Sequence, residues 1–542
     1  MQFQVVFNAG KGAASGEGKG KLLKVKLVSA EEGIAAIGFR RVAAVVRKLD
    51  PHAQIYFLAI GNLYSLRTHL FPSFKPRFTS RDITAIAAEL CDADLLCFSS
   101  MTPAAGYVKE IIREVRKIKK GIFILWGGNH CIIYPDEALR EADAICTTEG
   151  EEVFEKFYTA FLGNKNYIDT AGMWFNTKRG IIKNPYPKLA DSAALDLHPY
   201  LFYGLDCQIY DFSLKAFRDF RKKDYLHYNG LSYRTVLSIG CPFSCIYCAN
   251  DAFLSIDKEF GRIRHPSVDK ILGEIEQALG MYPFISHVIF YDDNFIALPF
   301  EYLSEFCRQY KKRIGLSFVV FGMHPNFVTK EKVELLAEAG MNRVRMGIES
   351  ASEHTLSFYQ RHTPLEKIRE SANILARAAK KYRMIPPSYD IISDNPIETR
   401  DDIIQTLRFL YELERPYTLT LFSLRVFPKT RLWEYFERHP EIDIRFNNSS
   451  YLETKKNLTN ALYYLLAIGR PPRWLFAWLL RNVKAASWNT HNFSILYFIL
   501  RSAYLFSRGF THLCKCDSTT IGGQWPYYIW KMGLLTKANH RK

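Results

Sequence analysis

Three cysteines carry the sharpest chemical signal in the chain, in the segment Cys241-Pro-Phe-Ser-Cys245-Ile-Tyr-Cys248. Thiolates spaced by four and three residues can wrap one face of a cubane iron–sulfur cluster and leave its fourth iron without a protein ligand. Zinc is the competing reading, but structural zinc sites take four ligands, commonly as two spaced pairs, and no second pair follows nearby. Cys514 and Cys516 form a pair in the tail that reads first as ordinary thiols rather than as extra cluster ligands. Cys91, Cys97, Cys131, Cys146, Cys207 and Cys307 lie mostly in apolar contexts and read as core residues.

A ligand loop needs a scaffold. The strand-like run 234–240 leads into the cysteines. Further strands near 286–292, 315–321, 342–348, 386–393 and 417–427 alternate with helices near 267–281, 299–313, 329–339, 365–382 and 400–414. Six such βα units predict a partial barrel, in which chemistry gathers at the carboxyl ends of the strands. Polar residues fall there: Asp292, Asp293 and Asn294 end the second strand, Glu349 and Ser350 the fourth, and Asp394, Asn395 and Glu398 the fifth. Helix capping or a solvated turn would also explain Asp292 and Asp293. Glu349 is harder to account for that way, because a carboxylate ending an apolar buried strand requires a partner.

Upstream, strands 22–30, 54–60, 94–100, 121–128 and 143–150 alternate with helices 33–48, 82–91, 106–119 and 135–141. That pattern predicts a doubly wound, Rossmann-like parallel α/β sheet over residues 22–165. Ligands of such sheets sit beyond the carboxyl ends of the strands, where glycines and hydroxyls let them reach the backbone. The candidates are Ser99, Ser100 and Thr102 after the third strand, Gly127, Gly128 and His130 after the fourth, and Glu149 to Glu151 after the fifth. The bland alternative makes Gly127-Gly128 a tight turn and His130 a surface loop residue.

The cysteine loop, with Tyr247 before its third cysteine, resembles the signature of radical S-adenosylmethionine (SAM) enzymes. The segments FYDDNF (290–295), RMGIES (345–350) and LRVFPKTRL (424–432) resemble motifs of the branch in which the barrel follows a cobalamin (B12)-binding domain. ILWGGNHCIIYPDEAL (124–139) and ADAICTTEGEEVFEKF (142–157) resemble that domain's GG-x-H and GEGE segments. The resemblance spans about residues 25–432. It implies that Cys241, Cys245 and Cys248 bind a [4Fe-4S] cluster whose free iron chelates SAM. Tyr247 would then lie near the adenine, Glu349 and Ser350 near the ribose or methionine moiety, and Asp292, Asp293 and Asn294 at the strand end facing the methionine amino group. It also implies cobalamin near Ser99, Ser100, Thr102, Gly127, Gly128 and His130, and an electron donor such as flavodoxin or ferredoxin. Two departures touch the substrate side: SDNPIET (393–399) replaces a glycine-rich turn, and Pro428-Lys429-Thr430 replaces Pro-Gly-Thr. The D-x-H-x-x-G string that supplies a lower cobalt ligand in some relatives is absent, and His130 is not read as such a ligand.

The implied activity is cleavage of SAM to a 5′-deoxyadenosyl radical, with cobalamin-dependent methylation of an unactivated carbon of a small-molecule or lipid-like substrate as the leading outcome. Non-methylating rearrangement, cyclisation or oxidation, with cobalamin assisting or absent, is the second. A tRNA-modifying radical SAM protein and a purely structural iron–sulfur protein are the alternatives of other classes.

Residues 1–21 read as a flexible leader, 166–233 as an irregular connection, 234–432 as the barrel and 433–542 as a helical tail. The net charge of +17 over 542 residues is uneven. Residues 451–542 hold 13 Lys and Arg against two Asp and Glu, together with five of the eight tryptophans. Such a segment reads as a cap on the barrel, as a peripheral contact with an anionic membrane or as a basic nucleic-acid groove, with nucleic acid ranked last. Eleven cysteines in this length are too sparse for a disulfide scaffold and suit a reducing cytoplasm. No signal peptide or spanning helix is read.

Overall fold

The computed structural model describes residues 23–31, 33–60, 77–163, 165–449, 453–485, 493–515 and 532; the leader and Cys516 lie outside them. The first sheet has nine strands: β1 (Val25–Ala30), β2 (Gln54–Phe57), β3 (Leu95–Ser100), β4 (Phe123–Gly127), β5 (Ala144–Cys146), β6 (Met173–Thr177), β7 (Gly180–Lys183), β8 (Gln208–Asp211) and β9 (Ala216–Asp219). Their order is β7-β6-β5-β4-β3-β1-β2-β8-β9. The core β5-β4-β3-β1-β2 is parallel, as the doubly wound reading requires.

The connection read as irregular instead adds antiparallel hairpins to both edges of this sheet, β6–β7 on β5 and β8–β9 on β2. These strands are only four or five residues long, so their alternation, with Met173 and Phe175 buried, is too brief to stand out beside the prolines around them.

The second sheet is wholly parallel, in the sequential order β10 (Ser232–Thr235), β11 (His287–Phe290), β12 (Ser317–Met323), β13 (Met341–Glu349), β14 (Ser388–Ser393) and β15 (Thr418–Ser423). A helix follows each of the first five, from Val268–Met281 to Arg400–Glu412. This is the expected six-stranded partial barrel. The strand entering the cysteine loop is shorter than the run 234–240 suggests. Pairing stops at Thr235, and Val236–Gly240 continues as an extended approach bridged to Arg264 through Ile239.

Backbone strain collects at the barrel's carboxyl rim. Gly240, Gly322, Glu349, Asp394 and Lys429 all have positive φ, at 100°, 74°, 69°, 58° and 60°, and all lie at or past the ends of strands. At Gly322 a side chain would strike the Asp292 carbonyl. Lys429 and Asp394 stand where the resemblance leads one to expect glycine, and both keep the left-handed conformation that glycine serves. Non-glycine residues persist there only when their surroundings hold them. Asp394 accepts from the Lys455 N–H at 2.9 Å and from Asn460 Nδ2 at 3.0 Å, which ties the tail to the rim.

Candidate functional site

The cysteine loop crosses the mouth of the barrel and is held from several sides. The Ile246 N–H donates to the Tyr359 carbonyl at 3.1 Å. The Phe243 ring stacks on His324 at the end of β12, with centroids 3.8 Å apart and planes 20° from parallel. Arg431 donates to the Ser244 carbonyl inside the loop and to Asp251 on the following helix, Ala249–Ile256, at 2.9 Å through Nε. A loop fixed this way can present thiols in a set geometry rather than search for it.

Burial pushes the Cys241 thiol up to about 11 and the Cys248 thiol higher still, with the neighbouring Cys245 adding to both. Without metal Cys241 and Cys248 are protonated at neutral pH, so cluster binding must release protons. No three His, Cys, Asp or Glu among the described residues are grouped so as to hold a single metal ion. The donor set of sulfur alone, spread over one loop and lacking a fourth ligand nearby, suits three corners of a cluster.

Arg361, which sequence reasoning missed, is the charged centre of this rim. It is buried, donates to the Gly347 carbonyl at 2.5 Å and to the Tyr247 hydroxyl at 3.3 Å, and its Nη1 reaches Cys245 Sγ at 3.9 Å. Tyr247 in turn donates to Glu349. Burial pushes the Glu349 carboxyl up while Arg361 pulls it down. Four of the expected residues therefore meet here: Cys241, Cys248, Tyr247 and Glu349 surround the Cys245–Arg361 contact. The only sequence signal for Arg361 was its place in QRHT, twelve residues past Glu349.

The β11 end divides its labour. Asp292 is buried, and its oxygens accept from the Leu237 N–H at 3.0 Å, the Ser238 N–H at 2.5 Å and the Ser238 hydroxyl at 2.7 Å. Its carboxyl, pushed up to about 7 by burial, braces the approach to the cysteines and is committed there. Asp293 reaches the opening, accepting from Asn250 and the Gly240 N–H beside Cys241 and Cys248. Asn294 is buried, and neither end of its amide has a protein partner. Ser350 is likewise enclosed, bonded to Glu398 at 3.1 Å and Thr406 at 3.1 Å, so its hydroxyl braces the rim. Inside the barrel, Arg345 Nε donates to both oxygens of Asp390, at 2.6 and 2.8 Å, between the rings of Phe321 and Phe422.

Between β3 and β4 the mouth of the first sheet is lined by small residues, while Glu31 after β1 and Glu149 and Glu151 after β5 stand to either side. Ser99 and Thr102 are half-buried at the β3 end, with Gly127 and Gly128 beside them. Gly128 has φ 90°, and a Cβ there would lie 2.6 Å from the Ser100 carbonyl. The glycine lets the β4 end pack directly against the Ser100 backbone, and small residues after a strand are where a ligand can reach the backbone in sheets of this kind. Ser100 is buried, its hydroxyl accepting from Trp126 Nε1 at 3.0 Å. His130 is not on a surface loop. It opens the short helix Asn129–Ile133, is 2% exposed, and packs between Trp126 and Tyr134. Burial lowers its pKa to about 4, so the ring is neutral, and neither of its nitrogens has a hydrogen-bond partner among the described residues.

The two mouths lie against each other. Glu149 at the β5 end takes a two-pronged bond from Arg264, at 2.8 and 2.5 Å, and helix Ala249–Ile256 contacts helix Asn129–Ile133. The arrangement sets the thiol-bearing mouth of a partial barrel against the strand ends of a doubly wound sheet. Residues 235–410 match the model of the radical SAM superfamily and residues 24–157 that of the B12 binding domain. The chain therefore carries a radical SAM domain and a B12-binding domain.

It is 22% identical to the anaerobic magnesium-protoporphyrin IX monomethyl ester cyclase of Cereibacter sphaeroides over 300 residues, 53% of this chain and 44% of that one, so it spans under half of that relative's length. In fold it is similar to the radical SAM methyltransferase TsrM from Kitasatospora setae, with TM-score 0.60 and 16% identity over 77% of this chain and 76% of that chain. It is also similar to the cobalamin-dependent SAM radical enzyme OxsB, with TM-score 0.59 and 16% identity over 96% of this chain and 76% of that chain. The radical SAM domain implies a [4Fe-4S] cluster and SAM, and the B12-binding domain implies cobalamin.

Proposed function

We propose that this protein is a cobalamin-dependent radical SAM methyltransferase acting on an unactivated carbon of a small-molecule or lipid-like substrate. Residues 22–165 would hold cobalamin, 166–233 the connection, 234–432 the cluster and SAM, and 433–542 the wall beside the substrate. The observation that carries this reading is the facing of the thiol-bearing mouth and the glycine–serine mouth across the Arg264–Glu149 contact. With its cofactors bound, such an enzyme cleaves SAM to methionine and a 5′-deoxyadenosyl radical and carries a methyl group on cobalamin.

The chain's own residues bind and orient. Cys241, Cys245 and Cys248 would hold three irons as thiolates. Arg361 places positive charge and an N–H beside Cys245 and fixes Tyr247 and Glu349. Tyr247, Asp293, Asn294 and Glu349 are the groups left to contact SAM, since Asp292 and Ser350 are spent on the scaffold. Ser99, Thr102, Gly127 and Gly128 would line the corrinoid. The apolar, helix-wrapped barrel keeps water from a radical.

The test is product analysis of the anaerobically reconstituted, reduced protein given methyl-labelled SAM and a cell extract as the substrate source. Labelled product with matching S-adenosylhomocysteine and 5′-deoxyadenosine is the expected result. Deoxyadenosine with turnover but no label in product would favour the second reading, a non-methylating cyclisation or oxidation. The cyclase relative supports that reading.

A further inference from the structure

Helix Ser494–Cys514 has two unlike faces. One is fixed to the free edge of β15. Backbone directions alternate along a strand, and the N–H groups of Thr418 and Leu424 both donate toward the β14 side, to Pro387 and Ser393 at 2.8 Å each. Leu419 therefore turns its carbonyl to the open edge, where the Tyr504 hydroxyl donates to it. Tyr497 bonds Thr454 at 2.8 Å, Arg508 donates to the Tyr504 hydroxyl at 3.0 Å, and Lys515 reaches the Arg383 carbonyl at 3.0 Å. The helix thus runs antiparallel to β15 with Tyr497, Tyr504 and His512 buried.

The other face carries Ile495, Phe498, Ile499, Phe506, Phe510 and Leu513, all exposed, with Ile495 at 79% and Phe506 at 78%. Most of their steps are three, four or seven residues, which on a helix makes one apolar stripe roughly 30 Å long. The preceding helix, Arg473–Ala485, repeats the pattern. Phe476 stacks on Tyr411 at 4.2 Å, while Trp474, 72% exposed, and Trp478 point outward four residues apart. Between Glu453 and Asp517 the chain has nine Lys and Arg and no Asp or Glu.

We propose that this face lies on the surface of an anionic lipid bilayer. Exposed tryptophan and phenylalanine beside arginine, with acidic residues excluded, is the composition that buries an apolar stripe at the headgroup boundary while the cations meet lipid phosphates. Among the described residues no helix is long and apolar enough to cross a membrane, so the helix lies in the interface. A second copy of the chain would bring its own exposed Arg473 and Arg481, which flank Trp474 and Trp478, to the same face, and like charges oppose that pairing. A nucleic-acid groove would need flat rings for bases, whereas half of this stripe is isoleucine and leucine.

The test is flotation of the full-length protein with vesicles of phosphatidylcholine alone or with about one-third phosphatidylglycerol, without substrate or turnover. Binding to the anionic vesicles only, weakened by salt, is expected. Phe498→Asp with Phe506→Asp should lower it roughly tenfold or more. Unchanged circular dichroism and iron content in that variant would show that the fold is intact. No binding, equal binding to neutral vesicles, or binding untouched by the variant overturns the proposal. So does light scattering that shows a dimer dissolved by the variant, because the face would then belong to a second copy. The proposal does not rest on the methyl-transfer reading, since the measurement needs no reaction.

Discussion

The two ligand mouths of this protein are built from opposite materials. Between β3 and β4 the first sheet ends in glycine and serine, with His130 buried beside them against Trp126. The barrel ends in thiols, carboxyls and a buried guanidinium braced by hydroxyls. A large, preformed cofactor needs backbone within reach, so its site is recognisable by small residues at strand ends. A reactive centre needs charges held in fixed positions in a low dielectric, so its site is crowded and strained.

The sharpest way to break that contrast is to empty one mouth and watch the other. Replacing Cys241, Cys245 and Cys248 together by alanine should reduce iron and sulfide to background and abolish deoxyadenosine formation, because the loop then holds no thiol. Cobalt uptake, followed by its visible absorbance, should persist. Loss of both would mean that the mouths form one interdependent site.

The converse variant is Gly128→Val. Its side chain would collide with the Ser100 backbone at a φ of 90°, and the fork between β3 and β4 would close. Strain of about 1–3 kcal/mol there, added to the lost volume, should lower cobalt content by about tenfold or more while iron content stays near that of the parent. Retained cobalt would place the corrinoid elsewhere on the sheet edge.

Much of this contrast is legible in the sequence, for uneven reasons. Cys241, Cys245 and Cys248 are close in the chain, so their spacing alone announces them. Strand ends such as Asp293 and Glu349 are legible because βα periodicity says where strands stop. Sequence cannot say which of two adjacent polar residues turns inward, and there it put Asp292 and Ser350 on the ligand side although their partners are scaffold groups. Arg361 was hidden because its contacts with Cys245 and Tyr247 span 116 and 114 residues. For His130 the sequence left a ligand contact and a surface loop both open, because the apolar layer of Trp126 and Tyr134 that encloses it forms only in three dimensions.

A smaller effect probes the charged mouth from within. Arg361→Gln removes a positive charge and an N–H donor from the neighbourhood of Cys245 and leaves Tyr247 and Glu349 with one partner fewer. The cluster should still assemble, since all three thiols remain. Its midpoint potential, read by electron paramagnetic resonance during a redox titration, should move to more negative values, because both lost interactions favour the reduced, more negative cluster. Arg361→Lys, which keeps the charge, should lie between the two. An unmoved potential would reduce Arg361 to a packing role.

The smallest expected effect concerns the brace behind the rim. Burial lifts Glu398 from 4.5 to about 8 while Ser350 donates to it. Between those values the folded protein holds a proton that the unfolded chain has released, so ν_N exceeds ν_U and stability falls as pH rises through the window. Asp292, pushed up to about 7, contributes with the same sign. The urea midpoint of the metal-free protein should therefore be lower at pH 8 than at pH 5.5. In Glu398→Gln, which cannot ionise, the drop should be smaller but not gone, since Asp292 remains. An equal drop in both proteins would mean that Glu398 ionises freely when folded, and the barrel mouth would then be wetter than its crowding implies.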